Sequence, residues 1–104
     1  MKEECKWVEV VVPLPFRKPL TYALPDGLSA PIGVRVLVPL GPRRLTAYVV
    51  GHPSVPPPGV KIRPVLDILD QQPIFGPDLL ELCRWASRYY HESLGEMLST
   101  ALPG

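Results

Sequence analysis

A chain of 104 residues with eleven basic and ten acidic side chains, a formal net charge of +1 and 46% hydrophobic content has the length of about one domain. It is too apolar for disorder, which needs low hydrophobicity and high net charge, although its 15 prolines are roughly three times ordinary usage. No N-terminal run has signal-peptide character and nothing approaches a membrane-length apolar stretch, so secretion and membrane spanning are not expected and the cytoplasm is the expected compartment.

Charge is distributed unevenly. Residues 1–63 carry nine basic and four acidic side chains and residues 64–104 carry two and six, so the halves stand at +5 and −4. Between Val10 and Arg63, seven basic residues (Arg17, Lys18, Arg35, Arg43, Arg44, Lys61, Arg63) face one acid, Asp26. Such a basic half suits a polyanion partner, and the plain alternative is a solvated surface with no partner. The two cysteines, Cys5 and Cys83, lie near opposite ends, too few for a structural zinc site and consistent with reduced thiols.

In chain order, Lys6–Val12 (KWVEVVV) alternates and then becomes a valine run, which predicts a strand covered first on one face and later on both. Pro13 and Pro15 end it, and Phe16, Arg17 and Lys18 fall in an irregular connector. Leu20–Leu24 (LTYAL) is a second short strand, followed by the turn Pro25-Asp26-Gly27. Gly33–Pro39 alternates again, with Val34, Val36 and Val38 on one face and Arg35 and Leu37 on the other, so Arg35 should point away from the core. Gly41-Pro42 marks a turn with Arg43 and Arg44 at its tip, and Leu45–Val50 returns as the partner strand of a hairpin.

The run Gly51–Gly59 (GHPSVPPPG) is a proline-rich loop, either functional or, the favoured reading, a tolerated connection. Lys61–Leu69 is the last predicted strand, placed at a sheet edge because Pro64 cannot donate a ladder hydrogen bond. Asp67 and Asp70, on this strand and its exit, are read as solvated. Asp78 with Glu81 forms a capping-box pattern for a helix whose apolar stripe is Leu79, Leu82, Cys83, Ala86, Tyr89 and Tyr90. Ser93 with Glu96 repeats the box for a shorter helix running to about Ala101. Short strands with regular turns, then two helices, predict a mainly β (α+β) domain: a small half-open OB-like β-barrel of four to six short strands in residues 1–70, followed by two short C-terminal helices in residues 71–104.

No catalytic constellation emerges. His52 and His91 are isolated and are read as surface or capping histidines, and no glycine-rich phosphate loop is present. The basic barrel instead suits single-stranded nucleic acid, held by charge along the backbone and by stacking, with Phe16, Tyr22 and Tyr48 as aromatic platforms or core residues.

The series VVPLP (11–15), LTYALPDGL (20–28), GVRVLVPLGPRRLTAYVVG (33–51), KIRPVLDILDQQPIF (61–75) and WASRYYHESLGEMLSTALP (85–103) closely resembles the N-terminal domain of the bacterial primosomal protein N′ (PriA) family of replication-restart helicases. The resemblance implies a non-hydrolytic, cofactor-free domain that captures the 3′ end of a nascent strand at stalled forks or recombination intermediates and orients an ATP-dependent helicase in the same, longer chain, with other primosome proteins as further partners. Its 3′-end pocket carries over to Leu20 and Thr21, where the family has an aromatic residue and an aspartate, to Gly41 after the V-P-x motif, and to Arg63, where the family has a lysine. Arg43, Arg44 and Lys61 are the cations expected to steer the DNA backbone. The competing expectation is a docking module with no nucleic-acid role.

Overall fold

Valine spacing builds the first layer. The computed structural model describes residues 6–102, and in it β1 (Trp7–Val11) buries Val8 and Val10 on one side while Trp7 and Glu9 stay partly exposed on the other. At Val11 and Val12 both faces are covered, as the valine run predicts: Val12 belongs to the barrel interior, and Val11 packs beneath the helices. β2 (Leu20–Ala23), β3 (Arg35–Leu40), β4 (Arg43–Gly51) and β5 (Asp67–Ile68) complete an antiparallel sheet in the order β2-β1-β4-β3-β5. Along β4, Ala47 and Val49 enter the barrel interior while Tyr48 and Val50 face the helices. Glu9 pairs with Gly51 but Val10 with Val49, leaving Val50 as an extra residue. Such a bulge bends and twists the strand, which a small barrel requires.

β3 and β4 form the predicted hairpin, with Leu40 opposite Arg43 and Gly41-Pro42 as the two-residue turn. Gly41 has φ +60°, and the proline ring fixes the next φ near −65°, the combination of a type II′ turn that matches strand twist. Val34, Val36 and Val38 are fully buried, and Arg35 points outward as expected.

The last strand differs from expectation. Lys61–Leu69 does not pair continuously; β5 is two residues long, and Pro64 forms an isolated parallel bridge to Ala23. Proline lacks the N–H that a ladder needs, so the segment binds in pieces. Ala23 N donates to Arg63 O and Val65 N to Ala23 O, both at 2.9 Å, whereas Leu66 N donates to Leu37 O at 2.8 Å. It thereby runs from the free edge of β2 to that of β3 and closes the half-open barrel along a thin seam. Asp70 is not solvated either. Its carboxylate accepts from Arg35 Nε at 3.0 Å, Arg35 Nη2 at 2.9 Å and the Arg35 backbone N at 2.8 Å, anchoring the exit of this segment to β3. These bonds hold the Asp70 carboxyl below its ordinary value of 3.8.

Two helices cover the outer face of β1 and β4. α1 (Pro77–Tyr90) begins with Pro77 after Gly76, and the Asp78–Glu81 capping box does not form; Asp78 lies inside the first turn, where a carboxylate favours the helix dipole. The stripe also shifts by a residue. Leu80, Cys83 and Ala86 are buried and Leu79 is partly buried, but Leu82, Tyr89 and Tyr90 are exposed, because a helix resting on one layer buries only a narrow strip. His91 caps the helix at φ +60° with its N–H on Ser87 O, a capping role as expected. α2 (Leu94–Ala101) has the predicted capping box: Glu96 N donates to Ser93 Oγ at 3.1 Å, and Ser93 N to Glu96 Oε1 at 3.2 Å. Leu98 is fully buried in this second core with Val11, Tyr48, Val50 and Phe75. Among the described residues no helix is long and apolar enough to cross a membrane. Cys5 lies outside the described residues, and Cys83 is a buried thiol whose pKa burial raises.

Candidate nucleic-acid interface

The turn at Gly41 and the seam at Arg63 meet at one rim of the barrel. Tyr22, on β2, is buried and sends its hydroxyl to Pro39 O at 2.6 Å, tying β2 to the end of β3 next to that turn. Burial raises the Tyr22 phenol above its ordinary 10.0, while the Arg63 charge pulls the other way, so the phenol keeps its proton at neutral pH. Arg63 is exposed and its Nη1 donates to Gly41 O at 3.4 Å, a long and weak hydrogen bond. Two of the four pocket residues inferred from sequence are therefore in contact.

Leu20 and Thr21 sit beside Tyr22 at the start of β2, both partly exposed. Thr21 pairs with Glu9 and Leu20 with Val10. The connector before them curls through two i→i+2 hydrogen bonds, Leu14 N to Val12 O at 2.8 Å and Phe16 N to Leu14 O at 2.7 Å, centred on Pro13 and Pro15, whose rings preset the φ that such turns need. This curl leaves Phe16 46% exposed and places it with Pro15, Arg17, Lys18 and Leu20 around a shallow apolar recess. Of the three aromatic candidates, Phe16 is thus the exposed platform. Tyr22 and Tyr48 are core residues, the latter packed edge-on against Phe75 with ring centroids 6.3 Å apart.

The cations divide into two classes. Arg35, counted among the free cations from sequence, is engaged by Asp70 in the ion pair found among the described residues. Arg43, Arg44, Lys61 and Arg63 are exposed, and among the described residues none of them has a carboxylate within ion-pair distance. Arg43 and Arg44 lie on β4 beyond the Gly41 turn, opposite Leu40 and Pro39, so they flank the rim. His52 places Nε2 at 2.6 Å from Ala30 O and is occupied in holding a loop. Among the described residues no three His, Cys, Asp or Glu side chains converge as a metal-ligand set. The rim therefore brings the Gly41 carbonyl and Arg63 together with Arg43 and Arg44 beside them, whereas Leu20 lines the recess with Phe16 and Thr21 pairs with Glu9.

Sequence reasoning passed over the arginines of α1. Arg84 and Arg88 belong to the acidic half of the chain, yet they share a cleft with Arg17 of the connector. Their i, i+4 spacing was the available signal. Tyr89 and Tyr90, assigned from sequence to the apolar stripe, instead form an exposed aromatic face of α1 with Trp85: Trp85 and Tyr89 stack with centroids 5.1 Å apart and Tyr90 meets Tyr89 edge-on.

A family model described as the 3′DNA-binding domain (3′BD) of PriA matches residues 9–103. The replication restart protein PriA of Haemophilus influenzae is 37% identical over 99 residues, a match covering 94% of this chain and 14% of that protein. PriA of Synechocystis sp. is 36% identical over 103 residues, covering 93% of this chain and 12% of its own length, and PriA of Bacillus subtilis is 34% identical over 73 residues, covering 67% and 9%. The chain thus spans roughly an eighth of the length of the curated relatives it matches.

Proposed function

The chain belongs to the family of PriA 3′DNA-binding domains, and from that premise we propose that its rim holds the 3′ end of a nascent DNA strand without reading base sequence. The observation that carries this reading is the Arg63 guanidinium: exposed, held only by a long bond to the Gly41 carbonyl, and free of any carboxylate among the described residues. A terminal phosphodiester can take up that guanidinium without first breaking an ion pair, and Arg forks onto two phosphate oxygens.

The departures from the family's commoner pocket residues are partly made good by neighbours. Leu20 covers a base face without π stacking, but Phe16 adds an aromatic edge to the same recess. Thr21 supplies one hydroxyl where a carboxylate would accept from both base and sugar. Arg43, Arg44 and Lys61 attract the backbone on either side, which makes affinity salt-dependent. In the longer chain this places a 3′ end so as to orient a helicase on a stalled fork or recombination intermediate in the cytoplasm, alongside other primosome proteins.

Titrating 3′-hydroxyl and 3′-phosphate oligonucleotides of the same sequence against the chain tests the proposal. Tighter binding of the 3′-hydroxyl form, with base sequence making little difference, is expected; equal affinity for the two removes end recognition. One observation favours docking on neighbouring domains as a second role: Leu82, Trp85, Tyr89 and Tyr90 are all more than half exposed on α1. A docking module alone would bind no oligonucleotide even at low salt.

A further inference from the structure

We propose that Arg17, Arg84 and Arg88 form a second phosphate site, which holds an internal backbone phosphate of the DNA strand whose 3′ end lies at the rim; this rests on the end-binding reading above. The three arginines line a cleft of about 130 Å³ between the outer face of β1, the connector at Arg17 and Pro19, and the junction of α1 with α2. Arg84 and Arg88 stand one helical turn apart and so share a face of α1. Arg17, in the connector between β1 and β2, lines the same cleft, and all three residues are exposed.

The donors in this cleft are uncommitted. Glu9 and Glu92 also line it, but among the described residues neither comes within ion-pair distance of an arginine. The two hydroxyls are already engaged, Ser87 Oγ with Arg84 O at 3.1 Å and Ser93 Oγ with Leu14 O at 2.6 Å. Three guanidiniums against two carboxylates leave the cleft cationic, and an arriving phosphate displaces no existing pair. Guanidinium forks match phosphate oxygens in geometry as well as charge.

Position links this cleft to the rim. Arg17 is a wall of the recess that holds Phe16 and Leu20 as well as a wall of the cleft. A strand with its terminal nucleotide against Leu20 and Arg63 crosses Phe16 and Arg17 and arrives at Arg84 and Arg88. The α1 arginines therefore read strand length, not the end.

Anisotropy titrations of the chain with a 3′-hydroxyl dinucleotide and octanucleotide, over a range of salt, test this with Arg84→Ala/Arg88→Ala. The double variant should bind the octanucleotide about tenfold more weakly, and the slope of log K against log salt should flatten by about 0.7, the share of one single-strand phosphate. Dinucleotide affinity and the preference for a 3′-hydroxyl should not change. Arg84→Lys/Arg88→Lys should keep most of the slope, and Glu92→Gln should tighten the octanucleotide. If the alanine variant does not fold, these last two carry the test. Equal octanucleotide affinity and salt slope in wild type and double variant, or no gain from Glu92→Gln, overturn the cleft even where end preference survives. Loss of end preference in the wild type overturns the rim reading instead, with the length dependence still reporting on the cleft.

Discussion

Gly95 and Gly41 are both required by the backbone, for opposite reasons. At Gly95, in the first turn of α2, an added Cβ would overlap the Val12 carbonyl, because the helix lies directly on the end of β1. At Gly41 an added Cβ would meet nothing within 4 Å, and glycine is needed only for its φ of +60°. The surroundings differ in the same way. Around Gly95, Ser93 caps α2 and donates to Leu14 O, and Leu98 has no exposed surface. Around Gly41, one carbonyl holds Arg63 loosely and the flanking cations have no acidic partner among the described residues. The helix-covered face therefore supplies stability, and the rim supplies charge that folding does not use.

That separation can be broken by mutation. Leu98→Ala should be the most damaging change, lowering unfolding free energy by about 2–5 kcal/mol through lost burial and a cavity, as read by urea denaturation. Gly95→Ala should destabilise by about 1–3 kcal/mol, since the Val12 backbone must move to admit a methyl group. Neither should alter the affinity of a 3′-hydroxyl dinucleotide, which lies at the rim alone, while the chain stays folded; a parallel loss of that binding would join the two regions. Arg63→Ala should do the reverse and weaken 3′-hydroxyl oligonucleotides by about 1–2 kcal/mol with the urea midpoint unmoved.

Asp70→Asn sharpens the contrast between a guanidinium the fold uses and one it does not. It should cost about 1 kcal/mol of stability, modest because Arg35 is partly exposed, and leave DNA affinity intact. The sign with pH is set by the lowered Asp70 carboxyl. A depressed folded pKa stabilises fully above the ordinary 3.8, and that contribution disappears as pH falls through the depressed value. The stability gap between wild type and Asp70→Asn should accordingly be constant near neutrality and close in strong acid; a gap that widens on acidification contradicts the pair.

Local chemistry carried most of the fold. Alternation in Lys6–Val12 and Gly33–Pro39, the Gly41-Pro42 turn and the Ser93/Glu96 box were legible because each rests on residues within a few positions of one another. At the start of α1, Asp78 imitates a cap in the sequence, while Pro77 after Gly76 already begins the helix. Lys61–Leu69 looks like one strand, yet its hydrogen bonds go to two different edges, a choice made by Pro64 and by the distance between those edges.

Which charges remain available could not be read in the same way. Arg35 and Arg63 have similar strand contexts, and only the folded chain brings Asp70, 35 positions from Arg35, onto one of them. Likewise, charge counted along the sequence put Arg84 and Arg88 in an acidic half, while packing set them beside Arg17. The sequence by itself determined the first four barrel strands, the hairpin turn, the second helix cap and the basic character of the first 63 residues, because periodicity, turn preference and charge are local properties. The tertiary structure alone decided how the barrel closes, which arginine is tied to an acid and which cations share a cleft, because Coulomb and hydrogen-bond partners are chosen by distance in space.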